Sequence, residues 1–448
     1  MNVVLAKPCW DYPKGRSEST YNRVWIPLEL ANCAAILRAA GHSVSILDAQ
    51  ALDLSPSRLA ERAIGADLVL LTSTPLDRWQ CSFTEGTPFV EAARELKRKG
   101  LKVVATGFHC TVAPRATLRV TGVDAVIRGE PEGVVQEIAA GKPVEEIAAV
   151  SYLRGGEVVA NPDRAPLDLT TLPVPAFDLF DLSRYCYEIL GPNMLLLETT
   201  RGCPYRCDFC SKVMYGKSFR RKTPEQVKAE IDFALDHTSV KTVYFMDLEF
   251  TVARDLAVAV CNHLIARGAP IAWCVQTRAD NVDAELAALM RRAGCRLIHL
   301  GVESGSDRVL AASGKATSKA DILRGARVIR DAGMETLAFF MFGLPGETDE
   351  ERMETIRFAV ELEATYASFH FATPYPGSDL ANRLDLRMKD DLSFSLVPPG
   401  EDIAVLKHWV SRAMRAFYLR PSYIFRHIVK GGPSRWLKQF RLFLSYMR

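Results

Sequence analysis

Along most of the chain, short apolar runs alternate with segments patterned as amphipathic helices, and this alternation narrows the fold more than any other feature. Parallel strands need a crossover between them, and a crossover helix must cover one face of the sheet. The first stretch predicts strands at 2–6, 43–48, 67–73, 101–106 and 124–128, with helices near 27–40, 56–64, 87–99, 114–121 and 131–139. Five such strands suit a flavodoxin-like, doubly wound parallel α/β sheet over residues 1–140, with ligands at the carboxyl ends of its strands. From 193 to 378 the alternation recurs six times, with strands at 194–199, 241–246, 271–277, 296–301, 336–342 and 368–373. Six units suit a partial (β/α)6 barrel whose active groups also stand at carboxyl ends. Helix signals agree. Thr223-Pro-Glu-Gln226 is a capping box with proline at the first helical position, and Ser318/Asp321 and Thr348/Glu351 follow the looser pattern. Gly294 and Gly333 read as glycines that end helices. Residues 141–192 predict a hairpin around Gly155-Gly156 and a proline-rich strap, Leu172-Pro-Val-Pro175; residues 379–448 read as a helical C-terminal segment.

Composition excludes several classes. The chain has 448 residues, 48% of them apolar, which is ample for packed cores. A net charge of +3 argues for no nucleic-acid partner. No apolar run is long enough to cross a bilayer, and the opening Met-Asn-Val-Val-Leu-Ala reads as a first strand, not a signal peptide. A cytoplasmic, reducing location is therefore expected, where the 11 cysteines serve metal or core rather than disulfides. The tail Arg435–Arg448 is basic and amphipathic; a helix capping the barrel mouth is the preferred reading over one lying on a membrane surface.

At the end of the first barrel strand stands Thr200-Arg-Gly-Cys203-Pro-Tyr-Arg-Cys207-Asp-Phe-Cys210. Three cysteines share one loop, and the next, Cys261, falls in a predicted helix. Soft thiolates select iron–sulfur, zinc or copper(I), and a closed zinc site wants a fourth ligand nearby. Three ligands on a four-iron cube leave one iron open. A zinc knuckle and plain core cysteines are the alternatives.

The spacing C-x-x-x-C-x-aromatic-C, with Phe209 as the aromatic, resembles the radical S-adenosylmethionine (radical SAM) enzymes. That resemblance implies a [4Fe–4S] cluster on Cys203, Cys207 and Cys210, S-adenosylmethionine on the open iron, and an electron donor such as a flavodoxin or ferredoxin. It also implies roles at the later strand ends. Asp247, then Glu249, would meet the methionyl amino group, with helix capping as the alternative for Asp247. Arg278 would pair with the methionyl carboxylate, and Gln276 would face the ribose or the substrate. The run Gly301-Val-Glu303-Ser304-Gly305 is similar to the family's ribose-contacting segment. Phe342-Gly-Leu-Pro-Gly346 is similar to the segment near the adenine. Tyr205, Phe209 and Phe219 could shield the cluster.

The first domain resembles the cobalamin-binding domain that precedes the barrel in one subgroup of this family. The resemblance rests on Pro-Leu-Glu-Leu-Ala31 with Gly41-His-x-Val, on Gly107-x-His109-x-Thr111, and on Arg128-Gly-Glu130. Ser73, Thr74 and Thr111 offer hydroxyls to a large polar cofactor, while Gly107 and Gly129 admit it closely; His109, Gly129 and Glu130 complete the expected contacts. Where many cobalamin proteins carry a histidine ligand, Asp11-Tyr-Pro13-Lys-Gly15 has proline. Arg78 and Trp79 are the candidates for the lower face of the corrin, with a loop anchor as the alternative for Trp79.

Together these resemblances imply a cobalamin-dependent radical SAM methyltransferase. It would move a methyl group from methylcobalamin to an unactivated carbon, or to a phosphinate phosphorus, of a specialised small-molecule metabolite. Cobalamin-dependent oxidation, cyclisation or ring contraction is the alternative within the class, and a cobalamin-binding sensor or carrier with a structural cluster is the non-enzymatic one. A tRNA methylthiotransferase would need a second cysteine triad upstream, and Cys9, Cys33, Cys81 and Cys110 are scattered over different elements.

Overall fold

The computed structural model describes residues 1–10, 24–74, 86–215 and 218–425. Arg78, Trp79, the Asp11–Gly15 run and the basic tail lie outside them.

The first sheet is doubly wound as expected. Strands β1 (Asn2–Lys7), β2 (Ser43–Asp48), β3 (Leu68–Thr72), β4 (Val103–Thr106) and β5 (Ala125–Ile127) run parallel in the order β2-β1-β3-β4-β5. Helices α1 (Leu28–Ala39), α2 (Pro56–Arg62), α3 (Thr87–Arg98), α5 (Pro114–Thr121) and α6 (Glu132–Ala139) cover its two faces. β3 is buried along its whole length, as a strand covered on both sides must be. Two features differ from expectation. Phe108–Val112 forms a short helix, α4, where a loop was expected. The hairpin β6 (Val150–Arg154) and β7 (Glu157–Ala160) joins the first sheet, β6 pairing antiparallel with β5. The first sheet thus reaches residue 160, and the edge of β5 is paired rather than left open.

The strap is short turns rather than one extended run: it has 3-10 turns at Leu169–Thr171, Phe177–Leu179 and Leu182–Arg184. A small antiparallel pair follows, β8 (Cys186–Tyr187) with β9 (Gly191–Pro192).

Six parallel strands then form the partial barrel: β10 (Met194–Leu197), β13 (Thr242–Phe245), β14 (Ala272–Thr277), β15 (Cys295–Glu303), β16 (Glu335–Phe342) and β17 (Tyr366–Phe371), in that spatial order. Between the first two lies an antiparallel clasp, β11 (Thr200–Arg201) with β12 (Arg220–Arg221). The connecting helices are α7 (Pro224–His237), α8 (Arg254–Ala266), α9 (Ala284–Arg292), α10 (Asp307–Ala312), α11 (Lys319–Asp331) and α12 (Asp349–Glu361). Thr223 with Gln226, and Thr348 with Glu351, form complete capping boxes, and Ser318 caps α11. After α13 (Asp379–Arg383), helix α14 (Ile403–Tyr418) covers the outside of the last strands, Trp409 against Phe342 and Phe417 against Phe369.

Register separates the two faces of the barrel wall. Phe340, Phe342 and Phe369 point outward into the helical layer, while their neighbours Phe339, Met341, Ser368 and His370 point inward. The floor is closed by His299, whose ring nitrogens lie 2.9 Å from Tyr187 Oη and 3.0 Å from Tyr244 Oη.

Candidate functional site

The cysteine loop begins where β10 ends and is pinned at its base by the clasp. Gly202 has φ +84°, and a Cβ there would lie 1.8 Å from Ser218 O, so only glycine fits. Beyond it, Cys203, Cys207 and Cys210 are half-buried on one loop, whereas Cys33, Cys110, Cys261, Cys274 and Cys295 are core. Strand ends hold the loop from below. Tyr205 donates to Asn281 at 3.0 Å and lies under the Arg278 guanidinium, 4.1 Å from ring centre to carbon. Asp208 N donates to Ser313 O, and Leu380 N to Asp208 O. Phe209 packs with Val309, Met341, Leu344 and Ala372, which makes it the seat of the loop.

Burial pushes all three thiols up, Cys210 to about 12, so they need a cationic centre to hold them as thiolates. Among the described residues no three His, Cys, Asp or Glu side chains are spaced for one metal ion. Three thiols on one loop, with no fourth protein ligand beside them among the described residues, fit a multi-iron cluster with an open corner.

The two carboxylates after β13 hold loops in place. Asp247 is fully buried and accepts from Thr199 N, from Thr199 Oγ1 at 2.6 Å and from Thr200 Oγ1 at 2.5 Å. Those bonds moderate a carboxyl that burial pushes up. They leave it no exposed atom for the methionyl amino group, and they tie down the turn after β10 rather than the start of a helix, so Asp247 takes neither expected position. Glu249 accepts from Arg278 N at 2.8 Å, from Asn281 Nδ2 at 3.2 Å and from Thr277 Oγ1. Burial pushes its carboxyl up as well. Arg278 is similarly committed. Its Nη1 and Nη2 donate to Lys315 O and Ala316 O, and its Nη2 also meets Asp280 at 2.6 Å. Ser304 bonds Thr355 and Ser306, which seats α12. Gln276 remains partly exposed on the inner face of the barrel.

Glu303 stands at a bulge with φ +69°, and its Oε1 accepts from Lys315 Nζ at 2.9 Å. Burial alone would lower the lysine, but Glu303 and Cys207 outweigh it and hold the ammonium charged. Lys315 was not anticipated: it is a single lysine in a Ser-Gly-Lys-Ala-Thr turn with no motif around it. Glu303, Lys315 and the half-buried Gly301 below them could take the ribose and carboxylate of S-adenosylmethionine.

The second wall is the carboxyl edge of the first sheet. Thr74 Oγ1 and Thr106 Oγ1 are buried there without a hydrogen-bond partner among the described residues. Gly107, at φ +101°, lets the chain turn directly over Ser73 and Thr74. Unpartnered hydroxyls at strand ends are costly unless a polar ligand meets them, and the amide-rich rim of a corrin is such a ligand. Thr111 Oγ1 lies 2.9 Å from Gly107 O, accepts from Gly129 N at 2.9 Å, and reaches Met214 Sδ of the cysteine loop at 3.2 Å. His109, expected to contact the cofactor, is instead packed within its own domain: its ring is fully buried, Nδ1 lies 3.3 Å from Ser73 O, and Phe89 stacks on it. Glu130 turns away from the sheet edge onto Arg201 at 2.7 Å and Arg220 at 2.8 Å.

Comparison with known proteins agrees with this geometry. Residues 197–359 match the model of the Radical SAM superfamily, and residues 19–139 that of the B12 binding domain. An uncharacterized methyltransferase of Pyrococcus horikoshii is 30% identical over 424 residues, 90% of each chain. An anaerobic magnesium-protoporphyrin IX monomethyl ester cyclase of Cereibacter sphaeroides is 28% identical over 422 residues, 89% of this chain and 66% of the relative. The cobalamin-dependent S-adenosylmethionine radical enzyme OxsB, solved with aqua-cobalamin and S-adenosylmethionine, shares the fold at a TM-score of 0.76 and 16% identity, over 100% of this chain and 72% of its own.

Proposed function

The chain belongs to the radical SAM superfamily as a member with a B12-binding domain, and from that premise we propose that it methylates an unactivated carbon, or a phosphinate phosphorus, of a small specialised metabolite. It is an enzyme of the cobalamin-dependent radical SAM methyltransferase family, with a [4Fe–4S] cluster, S-adenosylmethionine and cobalamin as cofactors. The observation that carries the reading is the contact between the two walls: Thr111 of the cobalamin side touches Met214 of the cysteine loop at 3.2 Å.

When bound, the cluster and S-adenosylmethionine supply hydrogen abstraction, and cobalamin supplies the methyl group. The protein's own tasks are to hold and orient these groups. Cys203, Cys207 and Cys210 would hold the cluster. Glu303 would accept from the ribose hydroxyls and Lys315 would meet the methionyl carboxylate. Asp247, Glu249 and Arg278 fix the loops that carry these groups, so the site is organised before ligands arrive. Inside the barrel, Phe339 and Met341 exclude water, while Gln276, Ser368 and His370 hydrogen-bond the substrate. Gln276, Ser368 and His370 are polar without formal charge, and at the Phe339 level Glu303 is matched by Lys315. An electron donor such as a flavodoxin or ferredoxin would approach the cysteine loop, where Pro204 and Arg206 are exposed. Among the described residues no helix is long and apolar enough to cross a membrane, and a cytoplasmic location suits the reduced cysteines.

Likeness to a cyclase supports a second reading, oxidation or cyclisation at the same site. Anaerobic incubation with S-adenosylmethionine, hydroxocobalamin and a reductant separates the two. The methyltransferase reading predicts S-adenosylhomocysteine together with 5′-deoxyadenosine. Formation of 5′-deoxyadenosine alone would transfer the assignment to the oxidative reading, and formation of neither would leave a sensor or carrier.

A further inference from the structure

The cysteine loop is closed by two short strands, and both carry an arginine at the same register position. Arg201 pairs with Arg220 across the clasp, and both guanidinium groups reach Glu130, a residue of the first domain just past β5. Arg201 has no exposed side-chain surface. It also meets Glu132 of α6 at 2.7 Å and Glu198 at 2.6 Å. Asn32 of α1 donates to Glu198 at 3.3 Å. Burial alone would depress the guanidinium, but the three carboxylates outweigh it and hold it charged.

A buried arginine shared by two buried carboxylates, Glu132 and Glu198, and the largely covered Glu130 has few alternative arrangements. Moving the clasp away would strand Glu130, Glu132 and Glu198 together as like charges out of water, at heavy cost. The order of the loop two residues beyond Arg201 is thereby tied to the contact between domains. The tie continues to the cobalamin side. Glu130 follows Gly129, whose N–H is held by Thr111, and Thr111 in turn touches Met214 beyond the cysteines. The loop is thus held on one flank, at Arg201, by Glu130 and Glu132, and on the other, at Met214 and Arg220, by Thr111 and Glu130.

We propose that Arg201 is a positioning residue that joins the cobalamin site and the cysteine loop into one ordered unit, with Glu130 as its partner across the domain boundary. The proposal rests on the cofactor reading above. Filling the cobalamin site should tighten the cysteine loop, and by reciprocity an ordered loop should favour cobalamin.

The test is amide hydrogen exchange on the full chain, reconstituted anaerobically with iron and sulfide, with and without hydroxocobalamin. In the wild type, amides of the cysteine loop should exchange roughly fivefold or more slowly when hydroxocobalamin is present. Glu130→Gln keeps the shape but not the charge; it should still bind hydroxocobalamin while that protection disappears. Arg201→Lys should lose most of it, because a single ammonium cannot fork across three carboxylates. Should Arg201→Lys fail to fold, Glu130→Gln carries the test alone. A Glu130→Gln protein with a lower Tm but wild-type protection by hydroxocobalamin would show ordinary stabilisation and overturn the proposal. So would a wild-type loop indifferent to hydroxocobalamin. A wild type that takes up no hydroxocobalamin would overturn the cofactor reading, and this proposal with it.

Discussion

Lys315 Nζ lies 2.9 Å from Glu303 Oε1, and the pair sits directly over Gly301, where a Cβ would come within 2.6 Å of Glu303 and 2.8 Å of Lys315. The charges are taken out of water together, and glycine beneath them keeps the barrel open at that level.

Removing one member of such a pair should cost more than removing both. Glu303→Ala should lower S-adenosylmethionine affinity by about tenfold or more and destabilise the fold by about 3–5 kcal/mol, while Glu303→Ala with Lys315→Met should recover much of the stability but not the affinity. Equilibrium dialysis with labelled S-adenosylmethionine and thermal melts would check this. Unchanged affinity in Glu303→Ala would remove the residue from the ribose role.

Gly202 and Gly100 both have positive φ, yet only Gly202 has backbone against it. Gly202→Ala should prevent closure of the clasp and lose most bound iron. Gly100→Ala meets nothing within 4 Å and should cost only about 1 kcal/mol. Iron content and Tm of the two variants decide it. Equal iron in both would mean that the clasp does not shape the cluster site.

At Gly107 a Cβ would fall 2.6 Å from Thr74 Oγ1 and 2.8 Å from Ser73 Oγ. Gly107→Ala should therefore push the strand-end hydroxyls aside and weaken hydroxocobalamin binding by about tenfold or more, with iron content unchanged. Titration followed by visible absorbance measures this. Wild-type binding would place the corrin elsewhere.

His370 stands in the barrel wall with Nε2 2.8 Å from Ser368 Oγ, and burial pushes its pKa down to about 4 from an ordinary value of 6.5. The unfolded chain binds the proton more readily, so stability is full above about pH 6.5 and declines as pH falls toward 4. His370→Gln should flatten that decline by up to about 3 kcal/mol across the window. Urea denaturation at several pH values would show it. A slope unchanged by the substitution would assign the acid sensitivity to other groups.

Local chemistry made most of the framework legible. Alternating patterns located every strand of both sheets within a few residues, and the Thr223 and Thr348 caps formed as their spacing implied. Long-range pairing was not legible. Nothing in Val150–Arg154 says that its partner is Ala125–Ile127, so sequence alone leaves the hairpin in the connection rather than in the first sheet. Function-bearing charges divided the same way. The cysteines announce themselves by spacing. Lys315 does not, and neither does the union of Glu130, Glu132, Glu198 and Arg201, whose carboxylates come from three elements. Asp247 shows the converse: a carboxylate at the right strand end, whose lone pairs are taken by Thr199 and Thr200.

The central claim is that one chain holds both a cluster and a corrin, face to face. Anaerobic reconstitution with iron, sulfide and hydroxocobalamin, followed by metal analysis, tests it most directly, with a chain in which Cys203, Cys207 and Cys210 are all alanine as the reference. The wild type should carry about four iron and about one cobalt, and the reference should lose the iron. Iron without cobalt in the wild type would contradict the account, leaving a radical enzyme whose first domain serves some other ligand.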